Sequence, residues 1–305
     1  MTAQQMNEAT DLVDSAPRLA PHGASVLFAT DESDGARAGE EWIRRLRWAR
    51  TPAIDVLTIA PRPGWASGLG LQTYRTAVRE AVIQARETEL VEALRVANAV
   101  GSRLQHAGIR VRVWARTGEA ADEIVRASRL EAVDLVVVGS SGRSSRALLW
   151  GRSVSSQVAR HSDVAVLVAQ PPPRGEDRLP HSIAILDVKD VATAAALGWL
   201  RDVGWLNETR VTLARLGGPD GRPSRATTRS GTATGDAALA AAGVVLLPSD
   251  RDRSIDALRA LIEQAEIDLA VIPRANDRRE IDLALRIADV ARASVLIIPN
   301  PRRPR

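Results

Sequence analysis

The chain has 305 residues, 45% of them hydrophobic, no cysteine and a net charge of +4. Its length allows two domains of ordinary size, each with a packed core. Without cysteine there is no disulfide, thiolate-bound metal or thiol catalysis, and arginines set beside carboxylates along helical stretches give little case for nucleic acid.

Residues 1–22 are polar and lack both a basic n-region and an apolar h-region, so they read as a disordered lead-in rather than a signal peptide. No apolar run approaches the length of a membrane span, and the expected location is the cytoplasm. Ser25–Thr30 reads as a strand, Asp34–Ala49 as a helix and Ile54–Ala60 as a strand. Pro61–Leu71 is a Pro/Gly-rich loop. Apolar residues at three- and four-residue spacing predict a long helix over Thr73–His106, ended by Gly108. Strand Arg110–Ala115, helix Ala120–Ala132 and strand Leu135–Val138 come next. Gly139-Ser140-Ser141-Gly142 then opens a Gly/Ser loop, which leads to helix Val154–Arg160 and strand Val164–Ala169. This alternation predicts a parallel sheet covered by helices on both faces.

Residues 171–180, with Pro171–Pro173 and Arg174–Arg178, read as a linker. The pattern then restarts. Strands are expected at Ser182–Val188, Arg210–Leu216, Val244–Pro248, Leu269–Ile272 and Ser294–Ile298. Helices are expected at Val191–Val203, Ser254–Ala265 and Ile281–Ala291, with a Gly/Thr/Arg-rich loop over Gly217–Thr234 and a helical remnant at Ala237–Ala242. Asp134–Val138 repeats as Asp268–Ile272, and Ser162–Val168 as Arg292–Ile298, so a whole domain is written twice. Residues 300–305 form a basic tail.

Chemistry concentrates at the end of the Leu135 strand. Glycines there let the backbone approach an anion without a Cβ in the way. A serine-rich helix start supplies hydroxyls and free N–H groups at the positive end of the helix dipole. Ser153 and Ser155 fit phosphate donors or plain N-caps. Asp31, just after the first strand, fits a ligand contact, an Asx-turn or an N-cap, and Asp34 could cap equally well. Arg143 and Arg146 in the loop either attract an anion or face water. In the second half, Pro273 to Glu280 contains no glycine, Pro273 has no N–H, and the acidic residues would repel phosphate. No nucleotide is expected there, although Asp187 follows its first strand as Asp31 does. No Gly-x4-Gly-Lys-[Ser/Thr], His-Glu-x-x-His or Gly-x-Ser-x-Gly motif occurs, and the four histidines lack metal-ligand spacing. The chain is therefore not expected to be an enzyme.

Taken together, Ala29-Thr30-Asp31, the helix entry Gly118–Ile124, Asp134–Gly142 and the closing Ser153–Arg160 and Val164–Val168 resemble the universal stress protein family. The resemblance covers residues 23–170 and, by element order, a degenerate second copy over 181–299. It implies an α/β fold of two tandem doubly wound, five-stranded parallel-sheet, Rossmann-like domains of strand order 3-2-1-4-5. Many members bind ATP and others bind no nucleotide; they form dimers, often across the last strand. That order puts the switch point between strands one and four, where Asp31 and Gly139 both fall.

The family loop resembles Gly-x2-Gly-x9-Gly-[Ser/Thr]. Here Gly139 and Gly142 supply its start, but Arg152 stands in the third glycine's place before Ser153, with Gly151 one residue early. Arg152 either fills the phosphate pocket or pairs with a phosphate. By resemblance, nucleotide contacts are expected from Asp31, Ile59, Val138, Gly139 and Gly142, and from Arg152, Ser153, Val154 and Ser155. The implied function is a non-catalytic stress regulator that binds ATP, with Mg2+, or a related adenine nucleotide, and signals to an unidentified protein partner. The alternative is a nucleotide-free scaffold in which the two domains pair as a pseudo-dimer, with a homodimer as a further expectation.

Overall fold

The computed structural model describes residues 23–61, 76–140, 153–172, 179–187, 190–216, 243–247, 251–274 and 293–299. The first half runs β1 (Ser25–Ala29), α1 (Asp34–Arg45), β2 (Ala53–Ala60), α2 (Thr76–His106), β3 (Arg110–Thr117), α3 (Ala120–Leu130), β4 (Leu135–Gly139), α4 (Val154–His161) and β5 (Ala165–Ala169). The second runs β6 (Ser182–Asp187), α5 (Asp190–Val203), β7 (Arg210–Leu216), β8 (Gly243–Leu247), α6 (Arg251–Gln264), β9 (Leu269–Arg274) and β10 (Ser294–Pro299). The expected Gly217–Thr234 loop, the Ala237–Ala242 remnant, helix Ile281–Ala291, the lead-in, the tail and most of the Pro61–Leu71 loop lie outside the described residues.

Most element bounds agree with the sequence reading to within three residues. The first helix is the exception, ending at Arg45 rather than Ala49. Leu46 leaves the helix to bridge Leu179, and the Arg47 N–H donates to the Leu179 carbonyl at 3.0 Å. A contact with the end of the 171–180 stretch thus ends the helix where local propensity would have let it continue. α2 stops as expected: Gly108 takes φ +80°, and Ile109 N–H returns to the Leu104 carbonyl.

Among the described residues ten strands lie in one sheet, in the order β3-β2-β1-β4-β5-β10-β9-β6-β7-β8. Each half keeps the order 3-2-1-4-5. The halves are not two separate sheets, however: β5 and β10 pair antiparallel, with Val168 opposite Val295 and Val166 opposite Ile297. The carboxyl ends of the two sets of parallel strands therefore point to opposite edges of the sheet.

Burial follows from strand alternation. Val26 and Phe28 face one side, with Trp42 of α1, Leu104 of α2 and Trp199 of α5. Leu27 and Ala29 face the other, with Ile124 of α3, Val158 of α4 and Leu258 of α6. On the first side the halves also meet off the sheet. Ala49 N–H donates to the Val203 carbonyl at 2.9 Å, and Trp48 meets Trp205 edge-on at 5.6 Å between ring centroids.

The repeated aspartate has a structural use. Asp134 Oδ2 accepts the Ser25 N–H at 2.8 Å, fastening β4 to the start of β1. Asp268 does the same for β6, accepting from His181 N–H at 2.7 Å and Ser182 N–H at 3.1 Å. Burial raises the Asp134 pKa, only partly opposed by the Ser25 bond. A carboxyl whose native pKa is raised favours folding when protonated, and that contribution is lost as pH rises through the native pKa. Asp134→Asn keeps the acceptor and removes the charge, so the urea midpoint at pH 7 should rise or hold. A clear fall would show that the charge-assisted bond outweighs the cost of burial.

Candidate functional site

The crevice lies where β1 and β4 separate. Thr30 leaves β1 with its N–H on the Leu57 carbonyl at 2.9 Å. Its hydroxyl accepts from Glu32 N–H at 3.3 Å, while Asp31 Oδ1 accepts from Ser33 N–H at 3.0 Å. Asp31 is exposed, and among the described residues no hydrogen bond uses its second carboxylate oxygen. The α1 cap is Ser33, whose hydroxyl accepts from Ala36 N–H at 3.3 Å. Neither Asp31 nor Asp34 performs that role. Asp34 instead pairs with Arg37 at 3.3 Å.

Glu32 sits at φ 59°, a conformation that costs a non-glycine residue energy. Arg103 of α2 holds the turn, lying 3.5 Å from Glu32 and bonding Glu40 through Nε at 2.9 Å and Nη2 at 2.8 Å. The Glu40 bonds raise the Arg103 pKa further. These side chains, with Arg37, Glu41 and Arg44, line a cavity of about 320 Å³ beside α1.

Gly139 ends β4 against the first turn of α1. A Cβ there would stand well inside van der Waals distance of the Gly35 carbonyl carbon and Ala36 nitrogen, and a Cβ on Gly35 would strike the Ser140 carbonyl. Helix and strand thus meet backbone to backbone, and that packing by itself requires the glycine. Sequence reading missed Gly35. The available signal was Gly35-x-x-x-Gly39, two glycines on the inner face of α1; a Cβ at Gly39 would lie 2.9 Å from the Phe28 ring.

β2 outruns β1. The β1–β2 ladder stops at Ala29 opposite Leu57, while β2 continues to Ala60. The Leu57 carbonyl faces β1 and the Ala60 carbonyl faces β3, where it accepts from Gly118 N–H. Alternation therefore turns the N–H and C=O of Ile59 toward β1's side, beyond the end of β1. Among the described residues no backbone bond to the β1 segment uses them.

On the other flank, the Ser153 hydroxyl caps α4, accepting from Ser156 N–H at 3.2 Å, and lies 3.4 Å from the Ser155 hydroxyl. A capping hydroxyl accepts through a lone pair and keeps its proton for another acceptor. Val154 and Ser155 head the helix ahead of its first internal bond, Gln157 N–H to Ser153 O. Val154 is exposed and Ser155 buried. Val138 is buried in the core, which limits it to main-chain contacts. Gly142 and Arg152, with Arg143, Arg146 and Gly151, lie outside the described residues. Among the described residues no cluster of three or more His, Asp or Glu could hold a metal, and no helix is long and apolar enough to cross a membrane.

Residues 24–170 match the family model of the universal stress protein family. Among solved structures, the chain is similar to a universal stress protein from Archaeoglobus fulgidus at 16% identity and a TM-score of 0.61, over 91% of this chain and 96% of that one. It is also similar to a functionally unknown protein from Pseudomonas aeruginosa, at 8% identity and a TM-score of 0.52, over 92% and 93% of the two chains. A putative universal stress protein from Pseudomonas aeruginosa gives 11% and 0.51, over 92% and 94%. At such identities the likeness is one of fold, and it spans both halves. No curated protein matches the chain.

Proposed function

We propose that this chain, whose residues 24–170 form a universal stress protein domain, binds an adenine nucleotide at the carboxyl ends of β1, β2 and β4 and acts as a non-catalytic stress-response regulator. The observation that carries the reading is the overhang of β2, where the Ile59 N–H and C=O face the crevice beside Asp31. A purine edge presents a matching acceptor and donor. The open Asp31 oxygen suits a ribose hydroxyl. The Ser153 hydroxyl and the N–H groups of Val154 and Ser155 suit phosphate at a helix N-terminus. Gly139, Gly142 and the main chain of Val138 complete the proposed set, with Arg152 pairing with a phosphate. ATP accompanied by Mg2+ is the nucleotide we favour. We divide the chain into a nucleotide domain at 23–170, a linker at 171–180 and a degenerate domain at 181–299.

Isothermal titration of the full chain with ATP and Mg2+ tests this. Wild type should bind, and Asp31→Asn should weaken binding about tenfold, as expected for a lost hydrogen bond to a charged group. A flat titration of the wild type would sink the nucleotide reading. It would leave a nucleotide-free scaffold, which the antiparallel β5–β10 pairing within one chain favours.

A further inference from the structure

Gln170 joins the root of the candidate nucleotide loop to the second half. The Ser140 hydroxyl, one residue beyond Gly139, donates to Gln170 Oε1 at 3.0 Å. Gln170 N–H donates to the Ser294 hydroxyl of β10 at 2.9 Å. Its carbonyl accepts from Trp42 Nε1 at 2.9 Å, so α1, which already rests on Gly139, is tied to the same residue. From Ser294 the path continues: its N–H donates to the Asp268 carbonyl at 3.0 Å, and Asp268 Oδ2 holds the N–H groups of His181 and Ser182 at the start of β6. Trp42, Ser182, Asp268 and Ser294 are all buried. Ser140 and Gln170 are half-buried, but beyond them water cannot readily replace a lost partner, so a change passed on to Ser294 has to be absorbed within the buried part of the path.

We propose that nucleotide occupancy is relayed to the second half through Ser140, Gln170 and Ser294, making that half the output of the site rather than a second binding site. This rests on the nucleotide reading above. A serine hydroxyl has one proton. Anionic phosphate at the loop root is a stronger acceptor than the Gln170 amide oxygen. Ser140 is thereby added to the proposed contacts: when its hydroxyl turns to phosphate, the Gln170 side chain loses that donor, and the bonds from Gln170 to Ser294 and on to Asp268 loosen.

Amide hydrogen exchange on the full chain, with and without ATP and Mg2+, tests the relay. In wild type, ATP should speed exchange at the Gln170, Ser294, His181 and Ser182 amides about fivefold, the low end of ordinary coupling between sites. Ser140→Ala should show the faster pattern without nucleotide and gain nothing more from ATP. Ser294→Ala, outside the nucleotide contacts, should still bind ATP by titration while its His181 and Ser182 amides stop responding. Binding by wild type with no change at those amides overturns the relay and leaves the nucleotide reading standing. No binding by wild type overturns both. A Ser140→Ala pattern identical to nucleotide-free wild type also overturns the relay, whatever ATP does.

Discussion

Gly139→Ala should destabilise the folded chain by about 3 kcal/mol, with or without nucleotide, as overpacking at a rigid contact does. The added methyl would meet backbone atoms of Gly35 and Ala36, which no rotamer change can move aside. α1 would have to rise from the end of β4, and α1 carries Trp42 and Ile43, both buried in the core shared with Phe28 and Val137. Urea denaturation of the nucleotide-free protein measures the cost, and a loss below about 0.5 kcal/mol, the range of an ordinary surface change, would show that the contact yields. Loss of ATP affinity in Gly139→Ala cannot be assigned to phosphate contact, because the variant disturbs α1 and the Asp31 turn together. Ser153→Ala is the cleaner probe, since its cost to folding is that of one helix cap, about 1 kcal/mol.

The glycine shows where sequence reading reaches its limit. Apolar runs such as Leu135–Val138 and Leu269–Ile272 disclosed a buried parallel sheet, because only strands covered on both faces lack polar alternation. The doubled Asp134 and Asp268 disclosed the repeat, though not that each aspartate fastens the first strand of its half. Strand order came from family resemblance, since no local feature of a strand encodes its neighbours. The seam likewise has no local mark and was suggested only by the family's pairing across the last strand: Ala165–Ala169 and Ser294–Ile298 are buried along their length whether they end a sheet or continue it. The sequence reading offers Asp31 and Asp34 as caps of α1 and passes over Ser33 between them, which caps the helix; the choice depends on the Glu32 turn held by Arg103 from α2. Likewise the sequence offers Gly139 as room for a ligand, and only the tertiary fold adds that the same missing Cβ admits Gly35 of α1.

Trp205→Ala should cost about 4 kcal/mol, the usual loss for emptying a large buried aromatic site. Trp205 is fully buried, 5.6 Å from Trp48 of the first half and 5.4 Å from Trp199 of α5, edge-on to both. Aromatic pairs in that arrangement add to simple burial. Its position is fixed by backbone: Gly204 takes φ +90°, and a Cβ there would lie 2.7 Å from the Ala49 nitrogen. Arg47 secures the same turn, donating to the Asn207 carbonyl at 2.6 Å and lying 3.4 Å from Glu208. Among the described residues the Trp205 indole N–H has no partner, so the ring acts through shape rather than hydrogen bonding. Trp205→Phe, which keeps an aromatic ring and removes a buried unpaired donor, should therefore recover much of the loss. Off the sheet, the tryptophan cluster binds the halves on one face; on the sheet, three residue pairs of β5 and β10 join them. If the cluster makes the chain one folding unit, wild-type urea transitions followed by tryptophan fluorescence and by far-UV circular dichroism should coincide. In Trp205→Ala the two should separate, because the β5–β10 seam is then left to couple two half-sheets, each with its own covering helices. Transitions that still coincide after a 4 kcal/mol loss would show instead that the seam alone suffices to make the ten strands fold as one.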